Sequence, residues 1–168
     1  TEDIAEGIDT YLNLFETKSH VSGTGGAEIV PVRVFQHRPQ SVVEGCDFDP
    51  AEAIFVEFRV RIAAGIKDAS LHCTVKDNST RAIVATKMTD REGKPLLLTT
   101  GEYAIRCSLG PLHLAPGRYS NLLSVRETAT GKCLARLEGV LPFSIRAKPG
   151  REFAWAPIAS QAVAEITG

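Results

Sequence analysis

Apolar residues recur at every second position through most of the middle of this chain, and that period constrains the fold more than any other feature. In the segment IFVEFRVRI, residues 54–62, each even-numbered residue is apolar and most odd-numbered residues are charged. Successive side chains of a strand point to opposite faces of a sheet, so one face of such a strand is buried and the other is hydrated. The pattern predicts an antiparallel sheet with one face against a hydrophobic core.

Six more segments have the same period and are separated by turn signals rich in Gly, Pro, Asn and Asp. They are residues 27–35, 70–76, 81–87, 102–109, 118–127 and 139–146. Short strands at this spacing are typical of a β-sandwich or a β-barrel. Because proline cannot donate a hydrogen bond to a ladder, Pro31 and Pro142 indicate that their strands are edge strands or bulged.

Tyr119 sharpens the predicted architecture. It follows the turn residues Pro116 and Gly117 at the start of a strand, where a buried ring and a hydroxyl bonded to nearby backbone would form a tyrosine corner. The alternative is an ordinary core aromatic residue, and both interpretations support a sandwich. We therefore predict an all-β fold, an immunoglobulin-like antiparallel β-sandwich with a short N-terminal helix.

The beginning of the chain has a helical period instead. Apolar residues at spacings of four, four and three form one stripe along it: Ile4, Ile8, Leu12 and Phe15. Gly7 costs a helix about 1 kcal/mol relative to Ala, which restricts the predicted helix to residues 8–16. Residues 18–26 are predicted to be a flexible connector. The chain thus divides into an N-terminal helix and linker, residues 1–26, and a β-sandwich domain with a C-terminal strand, residues 27–168.

Composition argues against several classes of partner. Nineteen Lys and Arg residues against twenty Asp and Glu residues give a formal net charge of -1, so we expect no attraction toward nucleic acid or anionic lipid. No apolar run reaches the ~18 to 20 residues that span a bilayer, and the first residues lack the pattern of an export signal.

The four cysteines lack the C-x-x-C pairs of a zinc or redox site, and they are predicted to be free thiols in a reducing compartment. Cys73 and Cys107 alternate with apolar neighbours, as small buried residues do. A disulfide between their two strands is the alternative.

No motif predicts catalysis or a cofactor. The Gly-rich residues 23–26 precede a strand and lack the lysine and the helix of a phosphate-binding loop. The histidines do not have metal-ligand spacing, and there is no G-x-S-x-G elbow. Asp47, Asp49 and Glu52 would suit calcium or a carboxylate pair, but a solvated loop is the favoured interpretation. We expect no catalytic residue, no metal and no cofactor.

The remaining candidate site is a sheet face formed by segments 70–76 and 118–127. Apart from Leu122, the outward residues of these two strands are polar and either neutral or basic. In an immunoglobulin-like topology the two strands share a sheet and present one hydrogen-bonding surface for hydroxyl-rich ligands, although an ordinary solvated face is the alternative. The predicted carbohydrate-binding residues are His72, Thr74, Lys76, Ser120, Ser124 and Arg126.

The order and spacing of several segments resemble one protein family. These segments are IDTYLNL (8–14), GTGGAEIVPVRVF (23–35), IFVEFRVRI (54–62), LAPGRY (114–119) and LPFSI (141–145). Together they are similar to the C-terminal carbohydrate-binding domain of ATP-binding subunits in bacterial O-antigen polysaccharide ABC transporters. The similarity covers most of the chain.

The resemblance implies a module that recognises the non-reducing end of a lipid-linked polysaccharide at the cytoplasmic side of the inner membrane and licenses its export. It implies three kinds of partner: the O-antigen polysaccharide, the ATPase domain and transmembrane subunit of the transporter, and a second copy of the chain. In that homodimer the C-terminal strands are exchanged, which would give Phe153 and Trp155 a surface to pack on. The chain has no Walker lysine motif, so the expected role is non-catalytic. The recognised glycan differs among family members, so no sugar-contacting residue is carried over.

Two other functions stay open from the sequence. A structural or protein-interaction β-sandwich would use its edge strands and tail for protein partners. An enzyme would require Asp47, Asp49 and Glu52 to face a deep pocket.

Overall fold

Two antiparallel sheets face each other in the computed structural model, which describes residues 20–146 and 162–166. Sheet A contains, in spatial order, β1 (His20–Ser22), β10 (Cys133–Ile145), β9 (Gly117–Glu127), β5 (Ala69–Asp77) and β6 (Ala82–Thr89), with β7 (Leu97–Leu98) beside the start of β5. Sheet B contains β11 (Ala162–Ile166), β8 (Gly101–Pro111), β4 (Ala53–Ile62), β2 (Ala27–Arg38) and β3 (Ser41–Glu44). The described ranges contain no helix that is long and apolar enough to cross a membrane.

The two lateral edges of the sandwich differ. At one edge, β11 pairs antiparallel with β8 of sheet B and parallel with β6 of sheet A, so this strand joins the two sheets. At the other side, sheet A ends at β1 and sheet B ends at β2 and the short strand β3, and no described strand pairs with both sheets there. We call this second side the open edge.

The core lies between the sheets and is built by the alternation seen in the sequence. Ile54, Val56 and Phe58 of β4 point inward and are buried, while Leu71 of β5 and Leu123 of β9 meet them from sheet A. Each such side chain contributes about 1.5–3 kcal/mol when fully buried. The predicted all-β sandwich is therefore confirmed, and its immunoglobulin-like connectivity stays a prediction.

The structure agrees with three local predictions. Register shifts occur in β2 between Pro31 and Arg33 and in β10 beside Pro142, as expected for prolines in bulged strands. The Tyr119 hydroxyl donates a hydrogen bond to the carbonyl oxygen of Ala115 at 2.7 Å, which is the geometry of a tyrosine corner.

The cysteines also match their prediction. All four are free, and Cys73 and Cys107 are buried in the core. Burial raises the pKa of the Cys73 thiol to about 12, because the thiolate is disfavoured away from water.

The sequence prediction was wrong in two places. Residues 20–22, assigned to a flexible connector, form β1 and pair with β10. β10 begins at Cys133 and not at residue 139, because bulges at 133–135 and 137–140 interrupt its alternation. The predicted N-terminal helix, Phe153 and Trp155 lie outside the described residues.

Candidate functional site

The six predicted binding residues lie together on the outer face of sheet A. β5 and β9 are direct antiparallel neighbours, as the prediction required. In their register His72 is opposite Ser124, Lys76 is opposite Ser120, and Thr74 is opposite Leu122. Arg126 is opposite Ser70 at the end of the same face. Directly opposed residues of one face are near enough for their side chains to share a ligand.

The neighbouring strands add residues that the sequence analysis missed. Lys87 of β6 is opposite His72, and Arg136 of β10 is opposite Ser124. Ser22 of β1 is opposite Arg136 in turn, so one row crosses five strands. Adjacent strands lie about 4.8 Å apart, which makes the row about 19 Å long. No sequence signal indicated Lys87, Arg136 or Ser22, because strand order and register are long-range properties.

Two serines of this face, Ser120 and Ser124, are buried and have no hydroxyl partner in the described part of the chain. The exposed fractions of Ser120 and Ser124 are only 4% and 5%. Neither hydroxyl, nor that of Thr74, makes a hydrogen bond within the described part of the chain, whereas the Ser70 hydroxyl donates to the carbonyl oxygen of Arg126 at 3.3 Å. An unsatisfied buried hydroxyl costs about 1–3 kcal/mol, so these groups are suited to accept a partner from outside the chain.

His72 is half-buried between cations. Its Nε2 atom lies 3.2 Å from the Ser70 hydroxyl oxygen. Burial lowers the pKa of His72, and the charges of Arg126 and Lys87 lower it further. The imidazole is therefore neutral near pH 7, so one ring nitrogen is a donor and the other an acceptor. Nε2 faces Ser70, so Nδ1 is the ring nitrogen left to bond a sugar hydroxyl, which can both donate and accept.

The charged groups of the face are unevenly paired. Glu138 accepts hydrogen bonds from Lys76 and, at 2.9 Å, from Arg136, and the Lys76 bond is the main reason that the pKa of Glu138 is lowered. Arg126 reaches only the carbonyl oxygen of Gly131 at 3.5 Å, and Lys87 makes no ion pair with any residue in the described ranges. Donors thus remain available at the β6 side of the face.

The outer face of sheet B is organised differently: its opposite charges pair in two triads, and Arg33 of the first triad also pairs with Glu44 of β3 at 2.9 Å. Glu57 of β4 accepts from the Nε of Arg33 at 2.6 Å and from the Nε of Arg106 at 2.7 Å. Hydrogen bonding to Arg33 is the largest cause of the lowered pKa of Glu57. In the other triad, Arg61 pairs with Glu102 at 2.7 Å and with Glu28 at 3.5 Å. These polar groups satisfy one another across β2, β4 and β8.

An aromatic cluster occupies the end of that face. The rings of Phe35 and Phe55 are stacked with centroids 5.4 Å apart, and His37 meets both edge-on. The Arg33 guanidinium lies 4.5 Å from the centroid of the Phe35 ring. Phe35 is fully buried although it points outward, so this cluster is a small core outside the sandwich.

The acidic cluster of the sequence is a structural loop. A carboxylate oxygen of Asp49 accepts from the backbone N–H of Ala51 at 3.0 Å. The buried Gln36 side chain donates to the carbonyl oxygens of Asp49 and Glu52 and accepts from the Asp49 N–H. Within residues 20–146 and 162–166, no group of three or more His, Cys, Asp or Glu residues could hold a metal ion.

The Gly-rich segment packs against β10. A Cβ atom on Gly23 would lie 2.7 Å from the carbonyl oxygen of Leu134, and Gly23 has a φ of 130°, so only glycine fits there. The backbone N–H groups of Thr24 and Gly25 donate to β10 carbonyls. These two N–H groups are already hydrogen-bonded within the fold, so they are not available to bind phosphate.

Comparison with known proteins identifies relatives of this fold. A family model described as the Wzt C-terminal domain matches residues 18–157. A solved structure described as the crystal structure of the C-terminal domain of wzt has a TM-score of 0.57 and 13% sequence identity, over 83% of this chain and 90% of that chain. At that identity the likeness concerns the fold. No curated protein matches the chain.

Proposed function

This chain belongs to the Wzt C-terminal domain family, a non-ATPase part of an ABC transporter subunit, and from this premise we propose that it recognises the end of a lipid-linked O-antigen polysaccharide. Binding would couple the presence of the finished glycan to its export by the transporter. The observation that carries the proposal is the pair of buried hydroxyls, Ser120 and Ser124, which have no partner among the described residues and lie near neutral His72 on the outer face of sheet A.

The chemistry of the face suits a sugar ring. Hydroxyls of Ser120, Ser124 and Thr74 gain hydrogen bonds that they lack among the described residues, and the ring nitrogen of His72 that does not face Ser70 bonds a further sugar hydroxyl. Arg126 supplies charged donors at the end of the face. A typical hydrogen bond contributes a net of about 0.5–1.5 kcal/mol, so several together give a modest affinity.

The proposed assembly is the one that membership of this family implies. We place the domain at the cytoplasmic face of the inner membrane, joined to the ATPase domain and transmembrane subunit, as a homodimer with exchanged C-terminal strands. The position of β11 supports the exchange. β11 pairs with β6 and β8, and the same strand of a second copy could pair with them in its place. Phe153 and Trp155 precede that strand and would pack at the dimer interface. The proposed role needs no cofactor.

A protein-interaction module is the second candidate function. The observation that favours it is the open edge, where Val21, Val30 and Val32 are exposed. Such an edge is a common site for an added strand of a partner. A change in Trp155 fluorescence on adding the transmembrane subunit, with no response to glycan, would favour this function over sugar binding.

Titration calorimetry with the cognate polysaccharide tests the main proposal. We expect His72→Ala to weaken binding by about tenfold, equivalent to about 1.4 kcal/mol, because the ring nitrogen that faces the ligand is lost. His37→Ala, on the outer face of sheet B, is the matched control and is expected to bind as the unaltered chain does. Absence of binding by the folded, unaltered chain, or equal loss in both variants, would reject the sheet A site.

A further inference from the structure

On the outer face of sheet B, Arg59 is a charged residue without an ion pair in the part of the chain that the structure describes. Arg59 of β4 lies between the two triads described above, opposite Val30 of β2 and Ala104 of β8. Neither neighbour has a polar side chain. Arg59 is exposed and makes no ion pair or hydrogen bond with the described residues. Its five N–H donors are therefore available to a ligand.

Arg59 lines a cavity of about 390 Å³. Val30, Tyr103 and Ala104 provide apolar surface in this cavity, and Glu28 and Glu102 provide carboxylate oxygens. Apolar surface combined with a few convergent polar groups is the usual composition of a small-molecule site, and the volume lies within the range of such sites, roughly 300–1,000 Å³.

A second cavity lies at the open edge, between β1, β2 and β10, and has a volume of about 440 Å³. Glu28 lines both cavities. Ser22 and Arg136 line the edge cavity and also belong to the row that contains Ser124 and His72. The shared residues of the two cavities thus outline a path around the open edge from the outer face of sheet B to that of sheet A, whereas β11 pairs with both sheets at the opposite edge.

We infer that this path is an extended glycan-binding track and that the cavity at Arg59 is a second saccharide subsite, for residues behind the chain end. The inference rests on the proposed function of the sheet A face. The terminal sugar lies against His72 and Ser124, the chain passes Arg136 and Glu28 at the open edge, and a later sugar lies on Val30 and Ala104 with its hydroxyls bonded to Arg59.

The track makes binding depend on glycan length. Packed sheets are about 10 Å apart, and side chains add several ångströms on each side, so the two subsites are separated by roughly 20 Å or more around the edge. A short terminal fragment fills only the sheet A face, whereas a longer chain reaches Arg59. A glycan that occupies both sites at once binds more tightly than a glycan that occupies one of them, although neither site has changed.

Calorimetry of the full chain with the cognate polysaccharide and with its short terminal fragment tests the inference. We expect Arg59→Ala to weaken binding of the long glycan by about tenfold and to leave the fragment unaffected, since only the long glycan engages both sites. Arg38→Ala, an exposed arginine at the end of β2, is the control and should change neither affinity. Ala104→Trp, which fills the cavity, should reproduce the effect of Arg59→Ala.

The failures of the two proposals are distinguishable. If His72→Ala weakens both ligands while Arg59→Ala and Ala104→Trp leave long-glycan affinity unchanged, the sheet A site stands and the track is wrong. If neither ligand binds the folded chain, both proposals fall. As an independent readout, backbone amide NMR signals of Val30 and Ala104 should shift with the long glycan and not with the fragment, and the opposite result would overturn the track.

Discussion

The outer faces of the two sheets are built from the same alternating pattern, yet they differ in how their polar groups are paired. On sheet B, Glu57 and Arg61 each bind two opposite charges from neighbouring strands. On sheet A, Ser120 and Ser124 are buried with no hydroxyl partner among the described residues. The paired charges of sheet B stabilise the fold, whereas the unsatisfied hydroxyls of sheet A, like Arg59 between the paired charges of sheet B, gain free energy when a ligand arrives.

The largest expected effect in this comparison is on stability, at Glu57. Glu57→Gln removes the charge between two arginines, and we expect it to destabilise the chain by about 2 kcal/mol at pH 7. This is less than the 3–5 kcal/mol of a fully buried pair, because the Glu57 side chain is 16% exposed while those of Arg33 and Arg106 are 37% and 36% exposed. Urea denaturation measures the difference, and binding of the terminal glycan fragment should not change.

The pH dependence of that difference follows from the lowered pKa of Glu57. A carboxyl whose pKa is depressed in the folded chain contributes stability above its unfolded pKa, about 4.3, and loses it as the pH falls through the folded value. The gap between unaltered chain and variant should therefore shrink between about pH 5 and pH 3. A gap that stays constant over this range would mean that the triad does not stabilise the fold.

The smallest expected effect is the titration of His72. The lowered pKa of His72 means that its NMR titration midpoint lies below the ordinary value of about 6.5. Replacing Lys87 with Met removes one of the two cations and should move the midpoint up. The neutral form is favoured by folding, so His72 contributes stability that is present above pH 6.5 and declines as the pH falls. If Lys87→Met leaves the titration midpoint of His72 unchanged, the charge of Lys87 does not lower the pKa of His72.

The sequence predicted what depends on local pattern. Strict alternation in 54–62 identified β4 and its buried face, and the turn before Tyr119 identified the tyrosine corner. The outward residues of β5 and β9 followed from the same period, which is why the six predicted binding residues lie on one face.

Features that depend on the pairing of distant segments could not be predicted from the sequence. The first half of β10 was missed because its bulges break the two-residue period, and β1 is too short to show a period at all. Arg136 and Lys87 join the site only through the register of β10 and β6. The cavity at Arg59 depends on which residues stand opposite each other on β2, β4 and β8, and no single segment encodes that.

The double variant Ser120→Ala/Ser124→Ala tests the central claim most directly, because its stability and its affinity for the ligand are expected to change in different ways. If the hydroxyls are reserved for a ligand, the variant should be as stable as the unaltered chain or up to about 1 kcal/mol more stable, while its affinity for the terminal glycan fragment falls by at least about tenfold. Ser108→Ala on sheet B, whose hydroxyl accepts from the Gly110 N–H, is the matched control and should retain full affinity. A variant that unfolds more readily and binds the fragment with unchanged affinity would contradict the account.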